Sequence, residues 1–148
     1  MIQRIQSLYL FIGFAAYISL FFFPVALFQT TDNLFSFGNI ISGASASLII
    51  NPYMLIVHGA MTCLVMVTIF MFKKRIIQIR MTTVALLLNV LYVGGLFFFL
   101  DSLEKQYSAV AVYEPGMYIS LIPLVFLVLA SRAIRKDENL VRSTDRLR

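Results

Sequence analysis

The chain has 148 residues, 60% of them hydrophobic and 13% charged. Soluble domains run at about 45–50% apolar and about 25% charged, so this composition calls for a lipid solvent and argues against a soluble globular enzyme. The formal net charge of +5 sits beside apolar runs, which points to membrane topology before nucleic-acid binding. Cys63 is the only cysteine and His58 the only histidine. An intramolecular disulfide, a CxxC redox pair, a thiol oxidase chemistry and the usual zinc or haem ligand sets are all excluded. No cofactor is expected.

Residues 8–28 form the first apolar run, uncharged, with Arg4 before it and Pro24 in its final turns. The run is longer than the roughly 7–15 residues of a signal-peptide core, and no small-residue cleavage site follows. It is expected to be a retained first span. Residues 29–51 come next, with Phe35, Phe37 and a small-residue run over 42–47. Residues 34–37 and 48–50 are expected to be strands. The second span is expected over 52–72, with Pro52 favourable at a helix start because its missing N–H would be unpaired there anyway.

Lys73, Lys74, Arg75 and Arg80 follow, and then a third span over 81–100. Its twenty residues, at about 1.5 Å each, match the roughly 30 Å hydrocarbon core. Residues 107–113 carry alternating Val and Tyr and suit a strand that could pair with the two earlier ones. The fourth span is expected over 117–134, kinked by Pro123, with Arg132 snorkelling to the head groups.

Four spans put both termini on one side. Of 12 Lys and Arg residues, all but Lys105 then lie with the termini, which assigns that side to the cytoplasm. The two halves share no motif, so an inverted-repeat transporter is not expected. The expected architecture is an all-α integral membrane protein: one membrane domain, a four-helix transmembrane bundle with N-in and C-in termini. A small β-like cap closes its outer face, and a cytoplasmic amphipathic helix follows over 132–148.

His58 and Asn89 are the polar residues that stand out inside the spans. An intramembrane ionisable group can mark a proton or ligand site, but no span holds an Asp or Glu to complete a relay. Hydrogen bonding between helices is the expected role of both. Gly59 with Cys63, and Ala15 with Ser19, are small pairs four residues apart that favour close helix packing. There is no GxSxG, HExxH or Walker loop, and no nucleophile–base–orienter set. An enzyme is not expected.

The tail carries the most information. Placed at 100° per residue, Arg132, Arg135, Arg142 and Arg146 fall within an arc of roughly 80°. Ala133, Leu140 and Leu147 repeat every seven residues on a different side. Glu138 and Arg142 have the i,i+4 order that supports a helix. Arg132, Arg135, Arg142, Arg146, Leu140 and Leu147 are the expected partner-binding residues. Anionic lipid head groups are one possible partner of such a face. The interspersed Asp137, Glu138 and Asp145 favour a cytoplasmic or membrane protein partner instead, with nucleic acid not expected.

The opening MIQRIQSLYL over 1–10 and the closing IRKDENLVRSTDRLR over 134–148 resemble an uncharacterised family of small four-span Gram-negative bacterial membrane proteins, a domain of unknown function. The resemblance covers essentially the whole chain. It implies four helices in a bacterial inner membrane and supplies no activity, cofactor or catalytic residue. The expected function is therefore that of a non-enzymatic accessory or scaffold protein. The alternative is binding or transport of a lipid or hydrophobic small molecule near His58, Asn89 and Pro123.

Overall fold

In the computed structural model, which describes residues 3–29, 34–38, 47–49 and 52–145, the first helix is shorter than the apolar run that encodes it. Helix α1 covers Gln3–Ser19 rather than residues 8–28. It closes through tight turns, with Phe21 N–H donating to Ile18 O and Phe22 N–H to Ser19 O. Pro24 is the cause. Its ring disfavours helical backbone at Phe23, and it has no N–H to continue the ladder. It instead opens strand β1, Pro24–Gln29, at the first strand position, where a missing donor is tolerated.

Strand β2 covers Leu34–Gly38 and β3 Ser47–Ile49, within one residue of expectation. Strand β4 is Val110–Tyr113. The four form one sheet in the order β3-β2-β1-β4. β1 runs antiparallel to both β2 and β4, and β2 runs parallel to β3. The expected partner of β4 was β2 or β3; the unforeseen β1 lies between them. A bulge interrupts the β1–β2 register between Pro24 and Ala26. The Val25 carbonyl there accepts the Glu114 N–H at 3.0 Å.

Helix α2 spans Pro52–Phe70, with Pro52 as its first residue, and a 3-10 turn follows over Met71–Lys73. Helix α3 runs Arg75–Tyr107, 33 residues, well beyond the expected 81–100 at both ends. At about 1.5 Å per residue it is roughly 50 Å long, longer than a hydrocarbon core is thick. It stops at Ser108, whose left-handed φ of 48° and N–H bond to Glu104 O close the helix. The Glu104 carboxylate then accepts the Ala111 N–H at 2.8 Å and ties β4 to the helix end.

A short helix α4, Pro115–Ile119, precedes α5, Ile122–Asp145. The break at Ser120–Leu121 falls just before Pro123, which cannot donate to Ile119. The expected kink is thus a break between two helices. The fourth apolar segment and the tail form one continuous helix over Ile122–Asp145, and residues 146–148 of the expected tail helix lie outside the described residues.

α1 packs on α2 and α5, and α3 packs on α2 and α5. The buried core includes Leu10, Tyr17, Met61, Val65, Leu96 and Leu127. The sheet lies at one end of the helices. At the other end are the α2–α3 junction and the tail. Thr62, Thr68, Thr82 and Thr83 each donate to the carbonyl four residues earlier, so these hydroxyls are satisfied within their own helices.

Candidate functional site

The end opposite the sheet is where α5 is anchored. Its buried stripe is Leu127, Ala130, Ile134 and Asp137, the i, i+3, i+7, i+10 spacing of one helical face. The stripe is apolar except for Asp137. That carboxylate is buried, and its Oδ2 lies 3.4 Å from Arg75 Nη1, an ionic contact that balances its charge without hydrogen-bond geometry. Gln6 on α1, also buried, donates from Nε2 to the Ala133 carbonyl at 3.3 Å. Gln78 on α3 donates to the Thr68 carbonyl in the last turns of α2 at 3.3 Å. Arg135 Nη2 donates to Thr83 Oγ1 of α3 at 3.3 Å. Side chains of α1 and α3 therefore hold the start of the tail at Ala133, Arg135 and Asp137, and the basic segment continues α5 out of the helical body.

Facing outward, Arg132, Arg135 and Leu140 share a groove of about 460 Å³ with Lys136 and Asn139. Three of the predicted partner-binding residues are thus brought together. Leu140 is 47% exposed, an apolar side chain beside three cations. Arg142 lies on α5, but its side chain is not among those described, and Arg146 and Leu147 lie outside the described residues. Two further grooves flank this one. One, about 250 Å³, is lined by Ile5, Tyr9, Ala133, Lys136 and Leu140. The other, about 210 Å³, lies between α3 and α5 and shares Arg132 and Arg135.

His58 and Asn89 sit in a different part of the molecule, each 0% exposed. Tyr17 joins them. Its carbonyl lies 2.9 Å from His58 Nε2, and its hydroxyl donates to Asn89 Oδ1 at 2.9 Å. The rings of Tyr17, Phe21 and Tyr92 surround the imidazole at centroid distances of 4.6–5.7 Å. His58 Nδ1 and Asn89 Nδ2 meet no hydrogen-bond partner among the described residues. This cluster links α1, α2 and α3 and is filled with protein side chains.

Sequence reasoning misses Tyr17, Asp137 and Lys136. Asp137 was legible in principle, because an acid at i+3 from Ile134 on the apolar stripe demands a cation, and Arg75 lies in the nearest basic run. Lys136 follows from the i,i+4 series Arg132, Lys136, Leu140 that lines the groove. Tyr17 offers no comparable signal. Among the described residues no group of three His, Cys, Asp or Glu could hold a metal ion.

Neither a curated protein nor a solved structure matches the chain. The model of one family, described as a domain of unknown function, DUF4293, matches residues 2–147. That is nearly every residue, from the opening of α1 to the end of the basic tail, and the chain belongs to this family.

Proposed function

We propose that the chain is a non-enzymatic, multi-pass inner-membrane protein with both termini in the cytoplasm, and that its basic C-terminal helix docks a cytoplasmic or membrane protein partner. The membrane part of this reading is supported by what the helices expose. Two segments, Arg75–Gln106 and Pro115–Val141, are long and apolar enough to cross a bilayer, yet only 33% of each apolar window is buried. A core helix of a soluble protein would be mostly buried. Phe98 is 76% exposed, Leu91 70%, and Ile56 and Phe70 68% each, far more than scattered surface residues would give in water. The helices over 5–19 and 54–70 are shorter and also apolar.

The observation that carries the docking role is the fixed presentation of the tail. Contacts to α1 and α3 hold its inner stripe, so Arg132, Arg135, Lys136, Asn139 and Leu140 face outward on a preorganised surface. Preorganisation lowers the entropic cost of binding, and arginines beside an exposed leucine resemble the composition of interface hot spots. Burial of His58 and Asn89 among aromatic rings leaves the alternative, a hydrophobic ligand held between the helices, with less support.

A photoreactive residue at Asn139 in native membranes tests this. A discrete protein adduct is expected, lost when Lys136→Glu and Leu140→Glu are combined. Absence of any adduct, or one indifferent to the two changes, overturns the docking role.

A further inference from the structure

The groove between α3 and α5 differs from the other grooves at this end in its vertical order. Its lining is Thr83, Leu86, Val128, Ser131, Arg132 and Arg135. α3 runs away from the basic end and α5 runs toward it. Leu86 therefore lies about 4.5 Å deeper than Thr83, and Val128 about 6 Å deeper than Arg132, at roughly 1.5 Å per residue. The groove is apolar at the bottom and carries hydroxyls and guanidinium groups at the top.

From this gradient we propose that the α3–α5 groove holds the phosphate of an anionic membrane glycerophospholipid of the inner leaflet, with an acyl chain along Leu86 and Val128. Charge supports it. Two arginines line the groove, and among the described residues no carboxylate does. The nearby acids are turned elsewhere: Asp137 toward Arg75, and Glu138 toward the groove of Lys74, Arg75, Ile76 and Ile77. Position supports it as well. If residues 81–100 fill the roughly 30 Å hydrocarbon core, Thr83 lies about 3 Å below its cytoplasmic edge, close enough for arginines at this level to snorkel outward to the phosphate layer. The bond from Arg135 Nη2 to Thr83 Oγ1 at 3.3 Å holds one guanidinium over the groove with donors to spare for a bidentate phosphate contact. Arg132 lies one turn deeper on the same helix.

This inference rests on the membrane reading above, and the two can fail separately. The full-length chain, purified in detergent, is titrated with phosphatidylglycerol or with phosphatidylcholine of the same acyl chains, and retained lipid is counted by native mass spectrometry. Phosphatidylglycerol is expected to be retained preferentially. Arg132→Gln and Arg135→Gln should each weaken retention about fivefold, from roughly 1 kcal/mol per cation at an anionic head group. Lys74→Gln, in the separate groove with Arg75 and Glu138, should leave retention unchanged. Equal retention by wild type and the double arginine variant overturns the site, as does displacement of the lipid by inorganic phosphate. Should the glutamine variants melt early, Arg135→Lys keeps the charge and removes the fork, and a partial loss is expected. A photoreactive residue at Leu86 gives a second readout: a lipid adduct supports the assignment and a protein adduct overturns it. Release of the chain by alkaline carbonate would overturn the membrane reading itself.

Discussion

The Tyr17 hydroxyl donates to Asn89 while the Tyr17 carbonyl meets His58, so one residue of α1 secures polar groups on two other helices. Removing the hydroxyl would leave the buried Asn89 amide without its donor. Tyr17→Phe is expected to cost about 0.5–2 kcal/mol, the range for interhelical hydrogen bonds in membranes, read as a lower melting midpoint in detergent. Adding Asn89→Leu removes the stranded acceptor as well, so the double variant should lose less than the sum of the two single losses. A strictly additive result would mean that the bond contributes nothing to stability. His58 and Asn89 are legible in the sequence because polar groups stand out in apolar helices. Tyr17 is not, because an uncharged tyrosine within an apolar run does not stand out from its neighbours, and only the packed structure reveals its buried phenol.

At the scale of elements, Gly116 decides how α4 meets the sheet. A Cβ on it would run into the Pro24 carbonyl, with the Phe23 carbonyl oxygen 3.0 Å away. Both obstacles are backbone and cannot swing aside. Gly116→Ala is expected to destabilise by about 1–3 kcal/mol, the usual cost of overpacking, seen as a lower melting temperature. An unchanged melting temperature would show that α4 can shift freely against β1. β4 is legible from its Val and Tyr residues and β2 from Phe35 and Phe37, and the short apolar stretch of β3 follows the small-residue run over 42–47. β1 is not legible, since Pro24–Gln29 continues an uncharged apolar run. Hydropathy alone does not separate a buried strand from the end of a span. Helix ends fare similarly: Pro52 marks one clearly, whereas α3 extends past the hydrophobic boundary into polar sequence that hydropathy does not count.

For the whole molecule, the decisive property is orientation. The cations other than Lys105 fall toward one end by sequence. Lys105 lies at the sheet end, in an exposed ion pair with Asp101 at 2.6 Å. Labelling of intact cells with a membrane-impermeant maleimide checks the arrangement. In a Cys63→Ser background, S108C is expected to react from outside and S143C only after the inner face is opened. The native Cys63, exposed on the protein surface but midway along α2, should stay unreactive from either side. Reaction of S108C and S143C from the same side would overturn the four-span topology. This expectation comes from charge placement alone, because each cation carries a large cost inside hydrocarbon. The anchoring of the tail by Gln6, Arg75 and Thr83 was not legible there, because it depends on which helices are neighbours.

The pairing of β1 with β4 has a consequence for biogenesis. Some 80 residues separate the two strands, and at about 5–20 residues per second the ribosome needs roughly 4–16 s to supply the second after the first. Over that interval the newly made β1 has one unsatisfied edge, and α2 and α3, which lie between the two strands in the chain, must be made before the late strand can reach it. Closure of the sheet is therefore a late checkpoint in assembly. A nascent chain stalled before Val110 would present β1 with that edge open.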